Sequence, residues 1–250
     1  EDTAIIIRQE EIADDIYSMR LRTEHIAAHA KAGQFVSVYC NEGSRLLPRP
    51  ISICEIDRKD GAIRLVYRVA GKGTAEFSGM RTGMLLKVVG PLGNGFPQKN
   101  KKAFLIGGGI GIPPMIELAK ELDCEKQIVL GFRDELFLME DFRNRGQIYI
   151  ATEDGSAETA GNVLDAIREN GLEADIIYAC GPTPMLRAIK EYAAEQNIEC
   201  WISMEERMAC GSGACLACVC KSKEKDAHSN VKNKRICKEG PVFLAQEVEF

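Results

Sequence analysis

Long apolar runs are missing from this sequence, and so is any excess of positive charge. No uninterrupted hydrophobic stretch reaches the roughly 18–20 residues that cross a bilayer as a helix, so no membrane span is expected. The formal net charge is −5, with 32 Lys and Arg against 37 Asp and Glu. A general nucleic-acid binder would carry a basic stripe instead, so nucleic acid is not expected as a partner. The chain opens on acids, without the charged-then-apolar pattern of an export signal, and no export is expected. No internal repeat occurs at solenoid periods, which excludes the stacked-repeat architectures. Histidine is scarce: there are three, and only His228 lies near the C-terminal cysteines. What remains is a chain of 250 residues with a hydrophobic fraction of 45%, enough to build a real core in one large domain or in two to three small ones.

Cysteine, by contrast, is abundant, with ten residues. Four of them, Cys210, Cys215, Cys218 and Cys237, follow C-x4-C-x2-C…C, the plant-type spacing of a [2Fe–2S] cluster. In this reading three thiolates sit on one tight loop and the fourth closes the far side. Gly211 and Gly213 suit such a loop, since glycine accepts unusual backbone angles and lets amides approach the sulfurs. A structural zinc site is the alternative, although zinc usually draws on two short Cys pairs or on Cys pairs with His. Cys220 falls outside the pattern, as a buried or spare thiol. Cys40, Cys54, Cys124, Cys180 and Cys200 are mostly in apolar strand- or helix-like contexts, which fits a reducing cytoplasm better than a disulfide framework. The Lys/Arg cluster from Lys221 to Lys238 is mixed with acids inside the cysteine loop and reads as a solvated excursion.

The first hundred residues read as antiparallel β. Short runs at Phe35–Tyr39, Ile51–Cys54, Ala62–Val69 and Leu85–Val89 are rich in β-branched residues and separated by turn-formers, a spacing that suggests a small closed barrel. Gly90–Pro97, dense in chain-breakers, looks like a linker. From Lys102 strands and helices alternate: strands at 103–106, 128–132, 148–150, 176–179 and around Trp201, with helices expected at 113–122, 135–143, 162–168 and 185–195. Such alternation predicts a doubly wound parallel sheet covered on both faces. A tail from Met208 ends in a strand-like stretch, Val242 to Val248. The expected division is a β-barrel over residues 1–99, an α/β domain over 100–205 and a cluster module over 206–250.

Two glycine turns follow buried strands and precede helices. Gly107-Gly108-Gly109-Ile-Gly111-Ile-Pro113-Pro114 would let a backbone approach a pyrophosphate at a helix N-terminus, where Pro costs little. It is half a dinucleotide fingerprint, with Pro114 where the third glycine usually stands, and a tight turn without ligand is the alternative. Cys180-Gly181-Pro182 lies at the end of a second strand, where ligands of open α/β sheets collect. Cys180 is either a flank for a nicotinamide or a small buried side chain. In the β half, Arg49-Pro-Ile-Ser52, Tyr67-Arg68 and Gly71-Lys-Gly73-Thr74 supply the donors that a flavin dinucleotide requires, though arginines flanking strands are usually just solvated.

Taken in order, these motifs resemble the ferredoxin–NADP reductase superfamily. The tail Met204-Glu-Glu-Arg-Met-Ala-Cys210…Cys218, then Cys237 before Gly240-Pro-Val-Phe243, is similar to that of the electron-transfer subunits of type B dihydroorotate dehydrogenases. The resemblance covers essentially the whole chain. It implies an oxidoreductase subunit with FAD, a [2Fe–2S] cluster and an NAD site. By residue match, Arg49, Pro50, Ile51 and Ser52 would contact the flavin and its diphosphate. Val66, Tyr67 and Arg68 would line the ring and chain, and Gly73 and Thr74 would hold phosphate or ribityl oxygens. Gly107, Gly108, Gly109, Gly111, Pro113, Cys180, Gly181 and Pro182 would bind NAD, and Cys210, Cys215, Cys218 and Cys237 the cluster. Much of the superfamily has an aromatic where Ile51 stands, so Ile51 is given no stacking role. Glu205 and Glu206, just before the cysteine loop, read as exposed acids, with tuning of the flavin by one of them the alternative. Acidic loops at Asp134-Glu135 and Glu153-Asp154 favour NAD over NADP, against Arg133. The implied partner is an FMN-containing catalytic subunit that oxidises dihydroorotate in pyrimidine biosynthesis, in a cytoplasmic heterotetramer with two copies of each chain. The flavin performs hydride transfer, so no acid–base residue is expected. Alternatives are a reductase of the same build serving a ferredoxin- or sulfur-linked partner, a stand-alone diaphorase, and a non-catalytic zinc-stapled binding module.

Overall fold

The apolar–polar alternation of the first hundred residues closes on itself. In this computed structural model, which describes residues 1–225 and 230–250, six antiparallel strands form a barrel: β1 (Asp2–Ala13), β2 (Ile16–Arg22), β3 (Phe35–Val38), β4 (Arg49–Asp57), β5 (Ala62–Arg68) and β6 (Leu85–Leu92). Their order is β1-β2-β5-β4-β3-β6. Side chains alternate along each strand, so Val36, Val38, Ile51, Ile53, Ile63 and Leu65 fill the barrel while their neighbours face out. Two short helices, α1 (Glu24–His29) and α2 (Lys72–Ser78), drive Ile26 and Phe77 into the same core. His228, the imidazole weighed for a zinc site, lies outside the described residues.

The middle of the chain winds outward from one central strand. It comprises β7 (Ala103–Gly108), α3 (Pro113–Glu121), β8 (Lys126–Phe132), β9 (Gln147–Thr152), β10 (Thr159–Ala160), α4 (Val163–Glu169), β11 (Ile176–Cys180), α5 (Thr183–Glu195) and β12 (Glu199–Ser203). The parallel order β10-β9-β8-β7-β11-β12 puts the reversal of winding between β7 and β11. Every residue of β7 is buried, as expected of a strand covered on both faces. Helix α3 packs between sheet and barrel: Met115, Ile116 and Leu118 share a core with Ile16, Cys54 and Val66. Helices α4 and α5 cover the other face.

The tail adds β13 (Val219–Ser222), β14 (Asn233–Arg235), β15 (Val242–Leu244) and β16 (Val248–Glu249). Strands β14-β13-β16 form a small sheet of their own, whereas β15 runs antiparallel beside β12 as the seventh strand of the large sheet. The stretch expected as one strand, 242–248, is thus two strands broken by a tight turn at Ala245–Glu247.

Two expectations are corrected. Residues 135–143 do not form a helix; they hold a single helical turn, Glu140–Phe142. Leu138 sits at φ 63°, a left-handed break that no α-helix continues through. Phe137, Leu138 and Phe142 are buried in the core shared with α3, so their helix-like spacing reflects packing of an irregular loop. Gly90–Pro97 is not a free linker either. Strand β6 runs through Leu92, the Asn94 N–H donates to Gly240 O at 2.6 Å, and the Phe96 N–H donates to Ala32 O at 2.9 Å.

Candidate flavin, nucleotide and iron–sulfur sites

The cysteine loop is wound tightly by three residues in the left-handed region, Gly211 (φ 67°), Gly213 (φ 86°) and Leu216 (φ 57°). That winding turns backbone amides onto the sulfurs. The N–H groups of Ser212 and Cys215 each donate to Cys210 Sγ at 3.4 Å, and the Cys237 N–H donates to Cys218 Sγ at 3.4 Å. Burial raises the Cys210 pKa, but the hydrogen bonds from Ser212 and Cys215 outweigh it and bring the thiol down to about 5. Burial and the neighbouring Cys218 sulfur push Cys237 the other way, up to about 12. Cys218 and Cys237 are buried and Cys215 is exposed. Among the described residues, no three His, Cys, Asp or Glu side chains converge on one point as ligands of a single ion. Arg235, missed in the sequence, ties the two halves together: its Nη1 donates to Gly213 O at 3.1 Å, and its Nε reaches both Glu239 oxygens at 3.0 Å. Cys220 stands apart, buried, its thiol 3.6 Å from Lys234 O. Lys234 itself pairs with Glu247 at 2.6 Å, so the basic excursion is partly tied down.

On the barrel, β4 and β5 present the flavin-motif residues. The guanidinium of Arg49 lies against the backbone of Gly73, at the start of α2, so closely that a Cβ on Gly73 would collide with it. Thr74 Oγ1 accepts from the N–H groups of Ala70 (2.9 Å) and Gly71 (3.2 Å), holding the helix start in place. Pro50 and Ser52 are half-buried and Ile51 is buried. Strand alternation separates Val66, in the core shared with α3, from Tyr67, in the barrel core, while Arg68 is exposed. Tyr67 stacks on Tyr17 at 6.0 Å, and burial raises its pKa. Two buried hydroxyls here, Tyr67 OH and Ser37 Oγ, have no hydrogen-bond partner among the described residues.

The two glycine turns meet at the reversal of strand order. Gly107 and Cys180 are direct partners across β7 and β11. A Cβ on Gly111 would lie 2.6 Å from the Gly181 N and closer still to the Cys180 carbonyl. Gly108 is packed against Met185, whose sulfur would stand 2.5 Å from a Cβ there. Gly109, by contrast, sits at φ 51° with nothing within 4 Å, its backbone open to the crevice. Pro113 begins α3 and Pro182 caps α5, so both helix N-termini point to this edge. Burial pushes the Cys180 thiol up to about 12 despite a hydrogen bond with Ser203, which leaves it neutral. Asp134, Glu135, Glu153 and Asp154 are exposed beyond the ends of β8 and β9, and Glu205 and Glu206 are exposed before the cysteine loop.

These residues fit the groups that the motifs imply. The sulfurs of Cys210 and Cys218 accept amide hydrogen bonds, as thiolate ligands of an iron–sulfur cluster do. The Arg49 guanidinium beside the start of α2 fits the phosphates of a flavin dinucleotide, and the open backbone at Gly109 fits a second nucleotide.

A flavin barrel, a doubly wound sheet and a four-cysteine tail define a flavin- and iron–sulfur-dependent reductase. Residues 3–96 match an oxidoreductase FAD-binding domain, and residues 205–249 match the iron–sulfur cluster binding domain of dihydroorotate dehydrogenase B. A Fusobacterium nucleatum protein named as the electron transfer subunit of dihydroorotate dehydrogenase B (NAD(+)) is 42% identical, over 96% of this chain and 95% of its own. A protein of the same name from Caldanaerobacter subterraneus subsp. tengcongensis is 40% identical over 99% of this chain and 98% of its own. The chain belongs to the family of dihydroorotate dehydrogenase B electron transfer subunits. Among solved structures, that of an NADH-dependent reduced ferredoxin-NADP oxidoreductase superposes with a TM-score of 0.89 at 28% identity, covering 100% of this chain and 90% of that one. The ferredoxin reductase of carbazole 1,9a-dioxygenase shares the fold at a TM-score of 0.66 and 21% identity, over 78% of this chain and 65% of its own.

Proposed function

We propose that this chain carries electrons from a separate FMN-containing subunit, which oxidises dihydroorotate in pyrimidine biosynthesis, to NAD+. As a family member it is an oxidoreductase subunit that uses FAD, a [2Fe–2S] cluster and NAD+. When bound, these groups convert single electrons into a hydride, which no side chain does. The chain's own residues position, shield and tune. Residues 1–99 bind FAD through Arg49, Pro50, Ile51, Ser52, Val66, Tyr67, Arg68, Gly73 and Thr74, with Arg49 as the diphosphate donor and Thr74 keeping the start of α2 in shape. Residues 100–205 bind NAD across Gly107, Gly108, Gly109, Gly111, Pro113, Cys180, Gly181 and Pro182. The neutral Cys180 thiol places no charge beside the nicotinamide. Residues 206–250 hold the cluster with Cys210, Cys215, Cys218 and Cys237. The working assembly is a cytoplasmic heterotetramer with two of each subunit.

One observation carries this reading: the cysteine loop is seated directly on the flavin barrel. Gly211 packs against Ser37 of β3 and Leu92 of β6, with a Cβ there 2.9 Å from Ser37 Oγ and 3.5 Å from Leu92 Cδ1. Electron transfer needs such proximity, and a metal staple far from the barrel would not.

Co-expression with an FMN dihydroorotate-oxidising subunit tests it. Dihydroorotate-dependent NADH formation is expected in the complex and should vanish on Cys215→Ser. Full activity of that variant, or isolation of a colourless chain without acid-labile sulfide, overturns the reading.

A further inference from the structure

Ser37 contributes to no motif, yet it occupies the point where the cysteine loop meets the barrel. It lies on β3 directly opposite Pro50 of β4, with Phe35 opposite Ser52. Val36 and Val38, its neighbours in the strand, point into the barrel core. By alternation Ser37 therefore shares the outer barrel face with Pro50 and Ser52 of the flavin motif. From that face its oxygen abuts Gly211, the residue after the ligand Cys210. The side chain is buried, at 2% exposure, and its hydroxyl has no partner among the described residues.

A buried hydroxyl left without a partner costs stability, so such groups in folded proteins normally have one. Flanking residues of the strand are valines and phenylalanine, and an alanine would fill the position without that cost. The hydroxyl is a donor, and the residue it abuts follows Cys210, whose sulfur already accepts hydrogen bonds from the loop amides. Resting on the reading of the tail as a [2Fe–2S] site, we propose that Ser37 donates a hydrogen bond to a sulfur at the Cys210 end of the cluster and sets its reduction potential. Each added electron makes the cluster more negative, and a donor aimed at its sulfur stabilises the reduced form more than the oxidised one. Ser37 is thus a tuning residue lent by the flavin-binding barrel to the neighbouring redox centre.

The test is a potentiometric titration of the anaerobically isolated full chain, followed by EPR for the cluster and by absorbance for the flavin. In Ser37→Ala the cluster should become harder to reduce, by about tenfold in the reduction equilibrium, or ~59 mV for one electron. The flavin potential should stay in place, and Ser37→Thr, which keeps the hydroxyl, should return the cluster to the wild-type value. Thermal unfolding of cluster-free protein supplies a second readout: Ser37→Ala should be no less stable than wild type, because the hydroxyl has no partner without the cluster. An unmoved cluster potential, a shift confined to the flavin, or loss of iron from both variants overturns the proposal. Failure of the wild-type chain to show any cluster signal would instead remove the underlying reading.

Discussion

The backbone N–H of Ile56 donates to Glu117 Oε2 at 2.8 Å, across the boundary between barrel and sheet. Lys120 Nζ completes the joint, donating to Ile56 O at 2.8 Å and to the same carboxylate oxygen at 3.3 Å. The strand that begins at Arg49 is thereby fixed to the helix that begins at Pro113. Glu117 is fully buried, and burial raises its pKa against the opposing pull of Ile56 and Lys120. Replacing it by Ala would leave the buried Ile56 N–H without its acceptor and take from Lys120 the longer of its two hydrogen bonds. Glu117→Ala should lose roughly 1–3 kcal/mol of stability, read from the shift of the urea midpoint. NADH-to-flavin hydride transfer should slow along with it, as the two sites lose their common strut.

Glu199 gives the fold a dependence on acid. Burial raises its pKa, but hydrogen bonds from Lys99, Trp201 Nε1 (2.7 Å) and Lys101 (3.1 Å) prevail and lower it from 4.5 to about 2. A carboxyl with a depressed folded value contributes stability above its unfolded pKa and loses it as pH falls through the folded one. That contribution is present at neutral pH and fades between 4.5 and about 2. Glu199→Gln should therefore be less stable than wild type at pH 7, and the two unfolding curves should converge towards pH 2. Denaturation midpoints across this range check it.

Two glycines of the nucleotide crevice should fail for different reasons, one by intruding on the ligand's space and one by disturbing the fold. Gly109→Ala meets no atom within 4 Å and carries only the strain of φ 51°, about 1–2 kcal/mol. Gly111→Ala drives a Cβ into the Cys180–Gly181 peptide. Isothermal titration with NADH should show weakened binding for both, with the unfolding midpoint nearly kept in the first variant and clearly lowered in the second, and with the flavin content of both unchanged.

Among the cysteines, position in the pattern should matter more than burial. Cys218→Ser should lose most of its iron, whereas Cys220→Ser, also buried two residues on, should keep wild-type iron and sulfide. Its thiol is held neutral by burial, with a pKa up at about 11.

Much of this architecture was legible in the residues themselves. Strand β7 and residues 128–132 of β8 are continuous apolar runs because both faces are covered, and the glycines at 107–111 mark the turn that follows β7. Strand β1 escaped notice because Arg8, Gln9, Glu10 and Glu11 break its apolar rhythm on a barrel wall that faces water. Phe137 and Phe142 mimicked a helix face because they reach the same core from an irregular loop. Asn94 read as part of a linker because its partners, Glu239 and Gly240, lie more than 140 residues away. Ser37 was invisible for a plainer reason: a serine in a strand usually marks nothing, and only the tertiary contact with Gly211 gives it meaning.

Strand β15 has a consequence beyond architecture. Ile202 of β12 faces Phe243 and Trp201 faces Leu244, so the tail that carries the cysteines also shields the outermost parallel strand. Cutting the chain before residue 206 would do more than abolish iron binding. It would bare a row of unpaired peptide groups beside Trp201 and Ile202, an adhesive border for other unfolded chains. A shortened reductase of this kind should precipitate rather than persist as a simple diaphorase.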